Sequence, residues 1–383
     1  MNNNFDFYEK LGISKIINAA GTYTVIGGSR MNEETLEAMR VAARYFVDIK
    51  ELQKKVHTRL ADITRNEAAY VTTGAAAASY LVVAAAVALK YGRPFIYTSH
   101  KDIEKAEVII QRSHRNPYDW SIRQLGVNLV EIGYPNTIQP TSERDLENAI
   151  NENTVAIFCV EMPNGGWIAA GELEFNKTLQ IAQASNIPVI VDAAAQLPPV
   201  ENLWNFTSAG ASAAIFSGGK DLRGPQASGL IVGKKFLLDK IVETGFPNYG
   251  IGRMLKVGRE EICGLLAAVE HYVLMDHEAR REKCEREVKK LINFFSGFDR
   301  ITVKRSFPNE AGQPLPQALI TVETNIDRPS QVISEKLRSS CPSVAIAIYD
   351  NKSFFVNPMT LDDGELEIVI DKLKNVFLQL GLI

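Results

Sequence analysis

The middle of the chain alternates short apolar runs with helical patterns. The apolar runs are rich in β-forming residues and predict buried strands at 108–111, 128–133, 154–160 and 187–192. Helical patterns separate them, near 117–125, 144–151 and 173–186. Such alternation predicts a mainly parallel sheet covered by helices on both faces. Ligands bind these sheets beyond the carboxyl ends of the strands, so the residues after each strand are candidate site residues.

Helical patterns flank this region on both sides. Asn32 is a suitable N-cap for one helix, and a second helix is predicted from about 49 to 63. After residue 233 the alternation stops, and one long helical pattern runs from about 260 to 295. A strand–strand–helix–strand–helix pattern follows and ends in an amphipathic helix. We therefore predict three parts: an N-terminal segment that packs on the core (1–60), a large α/β domain (61–258), and a connector helix with a small α/β domain (259–383).

A lysine lies in a loop of small and turn-forming residues between two apolar runs. The loop is Ser-Gly-Gly-Lys-Asp-Leu-Arg-Gly-Pro-Gln, residues 217–226, and it separates predicted strands at 213–216 and 228–232. An ammonium between buried strands is costly to desolvate unless it has a partner. The ordinary interpretation is that Lys220 points to solvent from a surface turn. The functional interpretation is a lysine that forms a Schiff base.

A strand–turn–helix junction offers a candidate phosphate site. A strand ending near Thr73 turns at Gly74 into an alanine-rich helix that continues to about Leu89. Small side chains at Gly74, Ala75 and Ala76 let an anion approach the unpaired N–H groups and the positive dipole of the helix end. Junctions of this kind are common, and most hold no ligand.

An aspartate ends the last predicted parallel strand. The apolar run 187–191 leads directly into Asp192, Ala193 and Ala194. A helix cap or a salt-bridged structural acid would explain Asp192 equally well. Other strand ends carry His114, after the strand at 108–111, and Glu161 and Asn164, after the strand at 154–160.

Together these strand ends match the needs of pyridoxal phosphate. That cofactor requires a lysine, an acid for its pyridine nitrogen and a phosphate site. Lys220 follows Asp192 by 28 residues, and both come after the possible phosphate site. P-loop and dinucleotide-binding motifs are not matched, because Gly219-Lys220 lacks the following Ser/Thr and Gly250-Ile251-Gly252 lacks a third glycine.

The lysine loop also resembles that of a known family. Residues 217–220 and 224–229 are similar to the loop of bacterial selenocysteine synthase (seryl-tRNA selenium transferase) and its relatives, which have the aspartate-aminotransferase fold, type I of the pyridoxal-phosphate enzymes. Within that group the chain most resembles the branch containing D-glucosaminate-6-phosphate ammonia-lyase. The supporting stretches are 17–22, 46–48, 111–117 and 256–258.

The resemblance implies a role for each candidate residue. Lys220 would form the Schiff base, and Asp192 would pair with the pyridine nitrogen. Ser217, with Gly74, Ala75 and Ala76, would hold the phosphate. His114 and Ala194 would lie on opposite faces of the ring, whereas contact by Gln196 is left open because relatives space this glutamine differently. The alternative for His114 is a structural histidine.

The implied reaction is an α,β-elimination. A β-hydroxy-α-amino acid, such as an amino sugar acid phosphate, would yield a 2-oxo acid and ammonia. Arg30, Arg253 and Lys256 are candidates for binding a substrate carboxylate or phosphate, against the alternative of ordinary surface charge. An aminotransferase or racemase could use the same lysine and aspartate, and a non-catalytic binding protein could keep the fold.

Composition adds expectations about partners and location. The net charge of −3 does not favour a nucleic-acid surface, and the catalytic-type sequence starts near residue 10, without the tRNA domain of selenocysteine synthase. Four scattered cysteines show no metal-type spacing and fit a reducing cytoplasm. We identify no signal peptide or membrane span. Resemblance further implies a homodimer or larger homo-oligomer.

Overall fold

Two compact units make up the described part of the chain. The computed structural model describes residues 7–162 and 168–383. The larger unit comprises residues 30–162, 168–275 and 310–313, and the smaller one comprises 7–29, 276–309 and 314–383. Of the helices described, none combines the length and the apolar character that crossing a bilayer requires.

The described residues form strands and α-helices, which are numbered here in chain order. The strands are β1 (Ile16–Asn18), β2 (Ala68–Thr72), β3 (Glu107–Gln111), β4 (Asn128–Ile132), β5 (Thr154–Val160), β6 (Val189–Asp192), β7 (Ala213–Ser217), β8 (Gly229–Gly233), β9 (Ile301–Ser306), β10 (Gln317–Val322), β11 (Ser343–Ala345), β12 (Ala347–Ile348) and β13 (Ser353–Val356). The α-helices are α1 (Phe7–Lys10), α2 (Glu33–Arg44), α3 (Ile49–Ile63), α4 (Ala75–Tyr91), α5 (His100–Lys105), α6 (Trp120–Arg123), α7 (Glu143–Ala149), α8 (Phe175–Ala184), α9 (Asn202–Ala209), α10 (Lys235–Thr244), α11 (Arg259–Leu274), α12 (His277–Phe295), α13 (Pro329–Arg338) and α14 (Glu365–Gln379).

The larger unit is built on a seven-stranded sheet. Its order is β2-β8-β7-β6-β5-β3-β4, and the five strands from β7 to β4 are parallel to one another. β8 is antiparallel to both β2 and β7. One apolar cluster packs α4 and α10 on one face, and another packs α3, α8, α9 and α11 on the other. The predicted α/β class with a mainly parallel sheet is confirmed.

Helix α4 lies in the interior of the larger unit. Its residues from Ala78 to Ala88 are all buried, which explains why the helix has no polar face. The helix begins after Gly74 and ends at Gly92, whose φ of +63° is the left-handed conformation that favours glycine.

The predicted single helix from 260 to 295 is wrong. Met275 is extended, with φ −68° and ψ 145°, and it separates α11 from α12. The side chain of Asp276 then accepts a hydrogen bond from the N–H of Ala279 at 2.9 Å, so it caps a new helix. The continuous helical periodicity concealed this capping residue.

The smaller unit combines a sheet with covering helices. Its antiparallel sheet has the order β12-β13-β10-β9, and β1 pairs in parallel with β11. The predicted single strand between the two last helices is three short strands, β11, β12 and β13. Residues 30–60 and 259–275 lie in the larger unit, unlike in the predicted division, because α2 and α3 pack against α11.

Candidate active site

Two neighbouring strands, β6 and β7, end at the same edge of the large sheet. In β6 and β7 every residue is buried except the last, which is Asp192 in β6 and Ser217 in β7. The strands are parallel, so both ends lie at the carboxyl edge. The N–H of Ser217 donates to the carbonyl of Ala194 at 3.4 Å, which joins the end of β7 to the segment that follows β6. The structure therefore brings Asp192, Ala194 and Ser217 together, and the cofactor roles that the resemblance implies for them stay predictions.

The surroundings of Asp192 shift the pKa of its carboxyl group in both directions. Burial raises its pKa above the ordinary value for aspartate, because desolvation disfavours the charged form. The N–H of Ala194 donates to Oδ1 at 3.0 Å, and the charge of Lys220 is close enough to act in the same direction. Both of these interactions favour the carboxylate.

The same two influences act on the pKa of Lys220 with opposite signs. Burial lowers its pKa below the ordinary value for lysine, while the charge of Asp192 opposes that shift. Each group thus affects the pKa of the other, so the two side chains lie within electrostatic range of each other. This proximity favours the functional interpretation of Lys220 over a solvent-facing surface turn, and the Schiff base stays a prediction.

Close packing fixes the shape of the lysine loop. A Cβ on Gly218 would collide with Ser228 Oγ, and one on Gly219 would collide with Gln226 Oε1. The N–H of Gly224 donates to the carbonyl of Gly218 at 2.8 Å, which closes the loop on itself. The glycines in the sequence are therefore a steric requirement of this loop.

The N-terminal end of α4 offers a place for an anion. Gly74 precedes the helix with φ +141°, and no side chain caps this helix end. A Cβ built on Gly74 would meet no atom within 4 Å, so the turn faces open space. The first N–H groups of a 17-residue helix and its dipole favour a phosphate here.

Strand β8 connects the helix end with the lysine loop. Gly229 is in register with Thr72 of β2 on one side and with Ser217 of β7 on the other. A Cβ on Gly229 would lie 2.5 Å from the carbonyl carbon of Gly74, so only glycine allows this approach. An uncapped helix end, a lysine and an acid are therefore gathered at one sheet edge, and this set of groups fits pyridoxal phosphate.

His114 is buried with both ring nitrogens engaged. The N–H of Val160 donates to Nδ1 at 3.3 Å, so the proton is on Nε2, which donates to Glu172 at 2.8 Å. Val160 is in register with Asp192, so the histidine lies beside the strand that carries the acid. The contacts support the structural alternative, and stacking of His114 on a ring stays a prediction.

The other predicted residues are placed as follows. Gln196 is buried, and its side-chain amide donates to the carbonyl of Ala311 at 3.0 Å. The carbonyl of Arg30 accepts from Arg223 Nε of the lysine loop at 2.8 Å, so Arg30 lies beside that loop. Arg253 and Lys256 are exposed, on and just after a 3₁₀ turn. Asn164 lies outside the described residues.

Sequence reasoning placed Glu161 at a strand end but gave it no role, and its side chain is buried at the same edge. Glu161 follows β5, and burial together with the charge of Glu172 raises its pKa to about 8. Its carboxyl group therefore holds a proton near neutral pH more readily than an exposed glutamate does. Its position after a predicted strand was a signal, but the burial of its side chain depends on tertiary packing.

Comparison with known proteins identifies the family. The family model of SelA (L-seryl-tRNA selenium transferase) matches residues 16–293, which is more than half of the chain. The chain belongs to the SelA family.

Two relatives match over nearly the full length. D-glucosaminate-6-phosphate ammonia lyase from Salmonella typhimurium is 29% identical over 97% of this chain and 98% of its own. 5'-C-glycyluridine monooxygenase-decarboxylase from a Streptomyces species is 28% identical over 98% of this chain and 92% of its own.

Solved structures agree with the family. A structure of D-glucosaminate-6-phosphate ammonia-lyase superposes with TM-score 0.81 and 27% identity, covering 97% of this chain and 98% of the other. Serine palmitoyltransferase from S. paucimobilis shares the fold, with TM-score 0.60 and 11% identity over 97% and 89% of the chains. The predicted family, fold type I and its cofactor pyridoxal phosphate are confirmed. The full-length similarity to an ammonia lyase supports the predicted enzyme class.

Proposed function

We propose that the chain removes ammonia from a β-hydroxy-α-amino acid, such as an amino sugar acid phosphate, and releases a 2-oxo acid. The observation that carries the proposal is end-to-end similarity to D-glucosaminate-6-phosphate ammonia lyase in both sequence and structure. The grouping of Asp192, Lys220 and the α4 end at one sheet edge supports it, because this chemistry needs all three.

Each residue of the site has a part in holding the cofactor. Gly74, Ala75, Ala76 and Ser217 would hold the phosphate, Lys220 would bind the aldehyde carbon, and Asp192 would pair with the ring nitrogen. When bound, pyridoxal phosphate withdraws electrons from the substrate Cα.

The side chains then handle the protons of the reaction. Burial lowers the pKa of Lys220, so more of its amine is neutral near neutral pH than in an exposed lysine, and it can take the Cα proton. The β-hydroxyl leaves as water after protonation. One water is taken up again when the nitrogen leaves as ammonia, so the net products are a 2-oxo acid and ammonia.

A second candidate is an oxidative decarboxylation. It is favoured by 28% identity, over 98% of the chain, to the Streptomyces 5'-C-glycyluridine monooxygenase-decarboxylase. A monooxygenase consumes dioxygen and a decarboxylase releases carbon dioxide, whereas the elimination does neither. Measuring dioxygen uptake and carbon dioxide release therefore distinguishes the two candidates.

One assay separates the candidates. The purified chain with pyridoxal phosphate is given single β-hydroxy-α-amino acids without an amino acceptor, including D-glucosaminate with and without its 6-phosphate. We expect equal amounts of ammonia and 2-oxo acid, no dioxygen uptake, and no product from Lys220→Ala. Carbon dioxide release with dioxygen uptake would support the second candidate. Product formed only with an added 2-oxo acid acceptor would indicate an aminotransferase, and cofactor binding without any turnover would indicate a binding protein.

Assembly, partners and location belong to the same proposal. We infer a homodimer or larger homo-oligomer in the cytoplasm, without a nucleic-acid partner. Exposed apolar side chains after α2 support self-association: Tyr45 is 64%, Phe46 95% and Val47 50% exposed. Sedimentation of the wild type should show a dimer or larger species that Phe46→Asp weakens, and a monomeric wild type would reject the inference.

A further inference from the structure

A buried hydrogen bond ties the lysine loop to α11. The hydroxyl of Tyr272 donates to Asp221 Oδ2 at 2.7 Å, and the two residues are only 2% and 3% exposed. Asp221 directly follows Lys220, whereas Tyr272 comes 51 residues later. The described reaction uses neither residue.

We propose that Tyr272 and Asp221 are positioning residues that hold the backbone of Lys220 in place for proton transfer. The inference rests on the proposed role of Lys220. The lysine has to work from two side-chain positions, bound to the cofactor and free as a base, and both require a fixed Cα.

The other hydrogen bonds of the loop mainly define its shape. The N–H of Gly224 donates to the carbonyl of Gly218, and the N–H of Arg223 donates to the carbonyl of Lys220 at 3.0 Å. Both bonds run within the loop. The bond from Arg223 Nε to the carbonyl of Arg30 also leaves the loop, but the Tyr272–Asp221 bond does so at the residue next to the lysine.

Helix α11 is a firm support for this bond. Tyr272 belongs to the large apolar cluster that also includes Leu265 of the same helix. The helix also packs directly on the loop, because a Cβ on Gly218 would lie 2.9 Å from Leu265 Cδ1 and one on Gly224 would lie 3.3 Å from Ala268 Cβ. A change in the position of α11 would therefore be transmitted to Lys220.

Tyr272 and Asp221 are polar, which indicates that their contact positions the loop as well as stabilising the fold. A buried carboxylate is costly to desolvate, so an apolar pair of similar shape would stabilise this contact at least as well. A hydrogen bond adds direction, because it restricts both the distance and the angle between the loop and the helix.

The first test needs neither cofactor nor substrate. Lys220 in the full chain without pyridoxal phosphate is acetylated at a series of pH values, and mass spectrometry measures its labelling rate. In Tyr272→Phe we expect labelling about tenfold faster, since a looser loop admits water and reagent. Asp192 acts on the charge of the amine in both proteins, so comparing the full pH series separates a change in loop mobility from a change in the pKa of Lys220.

Tyr91→Phe is the matched control. Its hydroxyl donates to the carbonyl of Asp102 at 2.8 Å, at the opposite end of α4 from Gly74. This variant also loses one tyrosine hydrogen bond, but we expect wild-type labelling of Lys220. Equal labelling of Lys220 in the wild type and Tyr272→Phe would overturn the proposal.

The second test separates positioning from folding. With the active substrate, Tyr272→Phe should lower kcat about 10- to 100-fold and change KM less than about threefold. Asp221→Asn keeps an acceptor oxygen and should retain most of kcat, and combining Tyr272→Phe with Asp221→Ala should cost little more than the worse single change. If Tyr272→Phe does not fold, Asp221→Ala tests the same bond.

The outcomes are distinguishable. A lower melting temperature with unchanged labelling and unchanged kcat would show a purely structural role and overturn the inference. Faster labelling in Tyr272→Phe, together with no ammonia from any substrate in the wild type, would support the positioning role and reject the proposed reaction.

Discussion

At the scale of single residues, the site depends on two side chains whose pKa values shift in opposite directions. Burial lowers the pKa of Lys220 and raises that of Asp192, and each charge partly reverses the shift of the other. The sequence could place Asp192 at the end of a buried strand and Lys220 in a loop after another, while their cofactor roles stay predictions. The burial of His114 and the contact of Tyr272 could not be predicted, because they depend on packing between segments far apart in sequence.

Asp192→Asn tests the acid. The substitution keeps the shape and removes the charge that favours a cationic ring nitrogen, so kcat should fall about a hundredfold or more. Steady-state kinetics measures this loss, and Asp192→Glu, which keeps the charge, should recover part of it. Wild-type kcat in Asp192→Asn would contradict the role given to the acid.

At the scale of secondary-structure elements, the strand–turn–helix from β2 to α4 could be predicted, and the break between α11 and α12 could not. A glycine before a run of alanines is a local signal, and the helix begins at Ala75 as that signal indicates. The break depends on one extended residue, Met275, inside a continuous helical periodicity. Strand β8 was predicted at 228–232, but its antiparallel pairing with β2 and β7 could not be, because local sequence does not determine which strands pair.

Gly74→Ala tests the helix end as the phosphate site. A residue with a side chain at φ +141° carries strain of about 1–3 kcal/mol, and rotation of the turn to relieve it would move the first N–H groups of α4. We expect about tenfold or weaker binding of pyridoxal phosphate, measured by absorbance titration.

Gly92→Ala provides the control at the other end of the same helix. Gly92 also has positive φ, at +63°, and open space around a Cβ. This variant should lose stability but bind the cofactor like the wild type. Equal affinities in the two variants would argue against a phosphate at the α4 end.

At the scale of the whole molecule, the larger unit contains a histidine that makes its stability depend on pH. His57 Nε2 accepts a hydrogen bond from the N–H of Val71 at 3.1 Å, and its ring centroid lies 4.6 Å from that of Tyr70. Burial lowers the pKa of His57 to about 4. The two-unit architecture was predictable in outline, but the assignment of residues 30–60 to the larger unit depends on the packing of α2 and α3 against α11.

The sign of the pH effect follows from the lowered pKa. The stability that neutral His57 contributes is fully present above its unfolded pKa of about 6.5 and is lost as pH falls through about 4. Between pH 7.5 and 4 the wild type should lose about 3 kcal/mol more unfolding free energy than His57→Gln. Denaturant titrations at both pH values measure this difference, and an NMR titration of His57 near pH 6.5 would contradict it.

The proposed function depends most on the covalent attachment of pyridoxal phosphate at one lysine. The full chain is loaded with the cofactor, reduced with borohydride and digested, and mass spectrometry locates the phosphopyridoxyl group. The account predicts the label on Lys220 and its disappearance in Lys220→Ala. A label on another lysine, or a loaded protein that takes up no label at all, would contradict it.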